Sequence, residues 1–415
     1  MLKTNSHKTI ILSVILALIS FVPYVSLHKN AGISLDDLLF VVFILVSMFI
    51  VNWRELIKNK NALIFPFVFL ILLALISSVY NALGWKDLFI LIFKGPFKIF
   101  LFFVLITLCQ NIFNSLKKTR ILLLILLIAS FLQSLFCISS FIFKYEGPFR
   151  TGSIESNKYS AILGNADRRA VGTFGSEQGD FLGSNLLGSY LILFLPLSIY
   201  FFYSAKQKRS KIFFGAVFLC QALSSVLTYN RSSFLIIFLG FIALSLILKN
   251  YKLFFLVFGL GLLVFFFWPG MYDRFLLDQF DRIIIWRQAI SVSLNNFWFG
   301  IGAGNYLREL ISQALDYNLL IKTSAHNGFL NIFAELGFGS LLCFVWIIFL
   351  YLKKIFQVFV MAKKNLLALS ISLSAFMFIL QNVFNNFFFI ATVSVYFWLF
   401  YVLLVNITAE KTVVE

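Results

Sequence analysis

Charge is what this chain lacks most. Asp, Glu, Lys and Arg make up 12% of its 415 residues while 61% are hydrophobic, a charged share about half that of an ordinary soluble domain. No water-facing surface can be built from that composition. With a mean hydropathy of +0.95, lipid is the solvent for most of the protein. Acid is scarcer than base, 17 residues against 34, giving a formal net charge of +17. The cations are scattered between apolar runs instead of gathered on one face, which argues against a nucleic-acid interface and for a topological role. The four cysteines, Cys109, Cys137, Cys220 and Cys343, all sit in apolar runs and none has the close Cys/His spacing of a metal site. They imply no disulfide framework and no redox centre. Internal repeats are absent too: the first six spans do not resemble the last six as the halves of an inverted-repeat transporter would. The stretch Thr9 to Leu27 follows Lys3 and Lys8 as a signal peptide does. Tyr24-Val25-Ser26-Leu27-His28 lacks the small residues of a cleavage site, so it is read as a retained first span.

What the chain has in abundance is apolar runs of membrane-spanning length, about 20 residues for a 30 Å hydrocarbon core. They fall near 9–27, 33–53, 61–81, 88–110, 120–144, 181–203, 211–228, 232–248, 253–269, 327–352, 366–386 and 387–406. The expected fold is an all-α polytopic membrane protein of about twelve transmembrane helices, forming one integral membrane domain over residues 1–415. With a cytoplasmic N-terminus, 19 Lys and Arg fall in inner segments, and the short outer turns hold only Lys29, Lys86 and Arg231. That bias places both termini in the cytoplasm. Two segments are too long to be plain turns, 145–180 and 270–326, and both are then outer, periplasmic loops. Lys94 and Lys98 flank Gly95-Pro96 inside the fourth span; they either line a kinked polar face or snorkel to the inner interface, the simpler reading. Asp36 and Asp37 open the second span, where a helix N-terminus welcomes acid.

Polar residues converge on the outer side. Arg168 and Arg169 precede Gly172-Thr173-Phe174 at the end of the first loop, and two guanidinium forks beside a glycine-bearing turn suit a phosphate or, more plainly, lipid headgroups. Arg231 stands in the hairpin Thr228-Tyr229-Asn230-Arg231-Ser232-Ser233, against the charge bias and beside serines able to cap the next helix. From Asp273 to Leu294, apolar residues recur at helical spacing with Arg282 and Trp286 one turn apart. This describes an amphipathic interfacial helix anchored by Trp286. Gly300-Ile301-Gly302-Ala303-Gly304 has no strand before it and so is not a dinucleotide loop; its glycines suit close backbone approach to a neighbour or substrate. His326 opens the tenth span, where the helix dipole favours its neutral, proton-accepting form; the plain alternative is a cap or a headgroup contact. Glu335, deeper in that span, needs a partner, and one of these arginines is a candidate.

The ordered set Arg169-x-x-Gly172-Thr173-Phe174, Asn185, Asn230-Arg231-Ser232, Arg282-x-x-x-Trp286, Gly300-x-Gly302-x-Gly304, His326-Asn327-x-x-Leu330 and Glu335-x-Gly337 resembles the O-antigen ligase and polymerase superfamily of bacterial surface-polysaccharide enzymes. The resemblance covers most of residues 165–345. It departs from the family at Ser176 to Ser184, where a small residue, proline and asparagine usually follow the Gly-Thr-Phe element.

The resemblance implies a glycosyltransferase of the bacterial inner membrane. It moves a glycan from undecaprenyl pyrophosphate to an acceptor hydroxyl on lipid A-core at the periplasmic face, without nucleotide sugar, ATP, cofactor or metal. By the same resemblance Arg169 and Arg231 hold the pyrophosphate and His326 is the general base. Arg168, Arg282, Arg287, Asn327 and Glu335 are supporting residues. A polymerase joining lipid-linked repeat units uses the same donor and face; a lipid-linked oligosaccharide flippase is the rival of another class, and would line a central path with polar groups. The expected partners are the lipid-linked donor, the acceptor glycan and membrane lipids, with no nucleic acid.

Overall fold

The computed structural model describes residues 2–22, 26–28, 33–51, 61–142, 173, 180–247, 249–251, 255, 258–259, 262, 279–314, 324–361 and 365–412. Among these the architecture is helical apart from one short hairpin. The elements are α1 (Leu2–Ile19), β1 (Ser26–His28), β2 (Ile33–Ser34), α2 (Leu35–Ile50), α3 (Ile64–Asn81), α4 (Trp85–Lys94), α5 (Pro96–Ile112), α6 (Leu116–Ile142), α7 (Asp180–Ser204), α8 (Lys208–Leu227), α9 (Arg231–Ile247), α10 (Gln279–Asn295), α11 (Tyr306–Ala314), α12 (Gly328–Leu336), α13 (Phe338–Met361), α14 (Leu366–Phe384) and α15 (Ala391–Thr412). Eight spans among the described residues are long and apolar enough to cross a membrane, so the chain is a multi-pass membrane protein. The expected span at 253–269 and most of the loop 145–180 lie outside the described residues.

Burial sorts the helices. In α7, α14 and α15 nearly every apolar residue is buried, from Leu186 to Leu197, Leu367 to Ile379 and Val393 to Leu404. Ser189, Ser198, Ser370, Ser372, Ser374 and Ser394 are buried with them, small residues that let membrane helices approach closely. By contrast α3 turns Phe65, Phe69, Leu72 and Ile76 outward, and α13 turns Leu342, Val345, Trp346 and Phe349 outward, as lipid-facing helices do.

Two of the expected spans are broken. The fourth is interrupted at Gly95, whose φ of −113° and ψ of −87° end α4 before Pro96 starts α5; proline suits a first helical position, where its missing N–H costs nothing. The tenth is interrupted at Gly337, with φ +84°. The nine-residue α12 is therefore a separate piece, and the span itself begins at Phe338.

Both lysines beside the first break are turned to protein groups. Lys98 Nζ lies 2.8 Å from Asp37 Oδ2, and the Lys94 stem lies across Gly304, so snorkelling gives way to pairing. Asp37 also accepts from the Ser34 backbone N–H at 3.1 Å and from its hydroxyl at 2.8 Å, capping α2 as expected. Asp36 caps a different helix: its Oδ2 accepts from the Thr392 N–H at 3.0 Å and hydroxyl at 2.6 Å, at the N-terminus of α15.

Candidate functional site

Residues of the described motifs gather at one end of the bundle, around the turn that joins α14 to α15. Asn230 is the cap of α9: its Oδ1 accepts from the Ser233 N–H at 3.2 Å and the Ser232 hydroxyl at 2.8 Å. The cap role expected of the serines thus falls to asparagine, and half-buried Arg231 becomes the first helical residue. Gly188 of α7 permits this start, since a Cβ there would come within 2.5 Å of Ser233 Oγ and 2.9 Å of Asn230 Nδ2. On the far side, Gln381 Nε2 donates to Ser189 Oγ at 3.1 Å and Ser233 Oγ at 3.0 Å, and Asn385 Nδ2 donates to Ser232 Oγ at 3.2 Å.

Arg282 reaches the same turn from α10. Its Nη1 donates to the Phe384 carbonyl at 3.1 Å, and its guanidinium carbon lies 5.5 Å from the centre of the Phe384 ring. Arg287, farther along α10, is exposed. Ile283, Ile284, Ile290 and Leu294 face outward as an interfacial helix requires, while Ile285 is buried and Ala289 and Val292 pack with Ala325, Ala334 and partly buried Leu330. Trp286 departs from its expected role as surface anchor. Its ring lies 6.4 Å from that of Phe384 and its indole nitrogen is buried, so it faces the bundle.

His326 is held in the left-handed region, φ +47°, a conformation that costs a non-glycine residue of the order of 1–3 kcal/mol and persists where neighbours over-determine it. Its N–H donates to Ser324 Oγ at 3.4 Å. Capping belongs to the next residue: Asn327 Oδ1 accepts from the N–H groups of Phe329 at 2.9 Å and Leu330 at 3.1 Å. His326 itself, half-buried, is displaced from the cap by one position. Gly328 then packs on the same turn, for a Cβ on it would meet the Phe388 ring at 2.7 Å.

Glu335, at the other end of α12, is partnered differently from the expectation. Its carboxylate accepts the backbone N–H groups of Gly304 and Tyr306 and a hydrogen bond from the Asn331 side chain, with Lys94 as the nearby cation; burial nevertheless pushes its carboxyl up to about 7. Among the described residues no arginine serves it. The glycine loop wraps this helix end: Ile301 N–H donates to Ala334 O at 3.0 Å and Gly302 N–H to Glu335 O at 2.9 Å. Gly300, Gly302 and Gly304 all have positive φ, +64°, +85° and +73°, and a Cβ on Gly300 would stand 2.4 Å from the Glu335 carbonyl carbon. Close approach to a neighbour is what these glycines provide. Tyr306, buried beside Glu335, has its hydroxyl pushed up to about 12. Asn331 links the two ends, since its Oδ1 accepts from the Ala325 N–H at 3.3 Å.

Between the end of α6 and the start of α7 only Thr173 is described. Its N–H donates to Gln133 Oε1 at 3.3 Å and its hydroxyl to the Ser20 carbonyl at 3.3 Å, tying Thr173 to α6 and to the turn after α1. Arg168 and Arg169 lie outside the described residues.

The turn Gln381 to Phe388 escapes the sequence reading because two apolar windows abut there and leave no loop to inspect. Its signal is the run Gln381, Asn382, Asn385 and Asn386, four amides without a charge at a turn between two long apolar helices. Comparison with known families places Arg231, Arg282, the glycine loop, His326 and Glu335 within one matched segment: residues 216–345 match the family model described as O-Antigen ligase. No curated protein matches the chain.

Proposed function

We propose, from the match of residues 216–345 to the O-antigen ligase family model, that the protein transfers a glycan from undecaprenyl pyrophosphate to an acceptor hydroxyl of lipid A-core at the periplasmic face of the inner membrane. The observation that supports this reading is that Ser232 beside Arg231, Arg282 itself, and Gly328 two residues after His326 all meet the turn 381–388. In this mechanism the arginines, Arg169 and Arg231 first, hold the pyrophosphate, with Arg168, Arg282 and Arg287 assisting. Two guanidinium forks match phosphate oxygens and stabilise the charge that accumulates as the sugar C1–O bond breaks. The acceptor oxygen bonds to C1, undecaprenyl pyrophosphate departs, and His326 takes the hydroxyl proton. Such a base contributes typically 10²–10⁴-fold. Asn327 and Glu335 support His326 from the two ends of α12. Arginines neutralise the phosphates in this scheme, so a chelator leaves the rate unchanged.

The surface glycan of a deletion strain tests the reading. Loss of polymer from lipid A-core, with carrier-linked polymer accumulating, is the expected result. A core bearing a single repeat unit would instead identify a polymerase, and an unchanged glycan removes both.

A further inference from the structure

Two adjacent residues, Phe384 and Asn385, stand between Arg282 and the start of α9 that carries Arg231, and both lie beyond the segment that matches the family model. Phe384 holds Arg282 twice. Its carbonyl, at the last helical residue of α14, is one of the acceptors that a helix end leaves without an intrahelical donor, and Arg282 Nη1 supplies one at 3.1 Å. Its ring lies under the guanidinium at 5.5 Å, an attraction of cation for the π face. Asn385, the next residue, donates through Nδ2 to Ser232 Oγ at 3.2 Å. That hydroxyl donates to the Asn230 Oδ1 that caps α9 at 2.8 Å, one residue before Arg231. The chain of contacts thus runs from Arg282 through two consecutive backbone positions to the helix start that carries Arg231. The far side of the turn is fastened as well: Asn382 Oδ1 accepts from the Phe387 N–H at 2.7 Å, Trp398 Nε1 donates to the Phe388 carbonyl at 3.2 Å, and Asp36 caps α15 just beyond.

We propose that Phe384 and Asn385 are positioning residues that set the separation and orientation of the Arg282 and Arg231 guanidinium groups for one pyrophosphate. The inference rests on the donor-binding reading above. Fork-to-phosphate recognition demands placement within about 0.5 Å and 10–20°, and a turn braced on both sides supplies a reference that helices 51 positions apart in sequence do not give each other. The alternative is that Arg282 merely completes the end of α14, a role a lysine also fills.

The test uses the purified full-length protein with lipid-linked donor and acceptor, reading kcat, donor KM and Tm for Phe384→Leu, Phe384→Trp, Asn385→Ala, Arg231→Ala, Arg282→Ala and the double variants. Phe384→Leu is expected to raise donor KM about tenfold with kcat changed far less, and Phe384→Trp, which keeps an aromatic face, to stay within about twofold of the wild type. Adding Phe384→Leu to Arg282→Ala should cost nothing further, because the residue it positions is already gone. Asn385→Ala, which removes a hydrogen bond and little packing, should behave in the same way toward Arg231→Ala; it carries the test if Phe384→Leu does not fold. Losses that multiply in the double variants, or Phe384→Leu and Asn385→Ala proteins with wild-type KM and Tm, overturn the positioning role alone. Wild-type kinetics in both Arg231→Ala and Arg282→Ala overturn the donor-binding reading, and this role with it.

Discussion

A single guanidinium at the start of α9 tests whether the site recognises phosphate by shape or by charge. Arg231 follows an asparagine cap whose two hydrogen bonds are made to Ser232 and Ser233, so its side chain is not needed to start the helix. Arg231→Lys keeps the charge and loses the planar fork. In the transfer assay it should be nearly as impaired as Arg231→Ala at equal membrane abundance; full activity of the lysine variant would reduce the residue to a lipid anchor. Glu335 makes a separate, pH-dependent prediction. Its ordinary value of 4.5 rises to about 7 in the folded protein because burial outweighs Lys94, the Gly304 and Tyr306 N–H groups and Asn331. Between those two values the folded protein keeps a proton that the unfolded chain has released, so its contribution to stability is complete below about 4.5 and is lost as pH rises through about 7. Glu335→Gln abolishes that titration. The drop in Tm from pH 5 to pH 8 should therefore be smaller in the glutamine variant, and an identical drop in both proteins assigns the pH dependence to other groups.

Breaks in helices, more than helices, build the site. Gly95 ends α4 where a Cβ would come within 2.6 Å of Ala303 Cβ, and Gly337 ends α12 where a Cβ would lie 2.2 Å from the Trp298 carbonyl oxygen. The glycine loop threads between these two interruptions, tied to α3 by Ser77 Oγ on the Phe299 carbonyl at 2.6 Å and by Asn81 Nδ2 on the Gly300 carbonyl at 3.1 Å. Periodicity made the apolar runs visible because a lipid-facing or core-facing helix needs about 20 apolar residues whatever surrounds it. It could not show that the run at 327–352 is two helices, since α12 and α13 are both apolar and only the backbone at Gly337 parts them. The partners of Lys94, Lys98 and Glu335 were hidden for the same reason: pairing across a bundle depends on which helices are neighbours. Gly337→Ala should be severe. Its φ of +84° and ψ of 176° lie in a region essentially confined to glycine, which costs an alanine on the order of 1–3 kcal/mol, and the Trp298 backbone must also move. Loss of Tm and membrane abundance is expected, whereas Gly84→Ala, with nothing within 4 Å of its Cβ, serves as the tolerant control. A Gly337→Ala protein with unchanged Tm would mean that the α12–α13 junction is not fixed at this residue.

At the scale of the whole molecule, the contacts of one turn constrain topology. Asn385 touches Ser232, Phe384 holds Arg282, and Gly328 packs on Phe388, so positions near 231, 282, 327 and 385 share one end of the bundle. An even number of crossings must then separate Arg231 from His326. In the sequence reading the apolar runs 232–248 and 253–269 supply two. Between Gly328 and Asn385 the crossings are α13 and α14, again even. Seven spans precede Arg231 in the sequence reading, which puts the N-terminus at the opposite end, and α15 returns the C-terminus there. The charge bias, 19 Lys and Arg in the segments read as inner against three in short outer turns, predicts a periplasmic site end. Reporter fusions near Asn230, Asn318 and Asn386 should all give periplasmic signals, and fusions near Lys117, Lys208 and Lys363 cytoplasmic ones. A split among the first three contradicts the shared end. Agreement among them on the cytoplasmic side would keep the site's geometry and remove a donor presented from the periplasm, because the same residues would then face the compartment in which lipid-linked glycans are built.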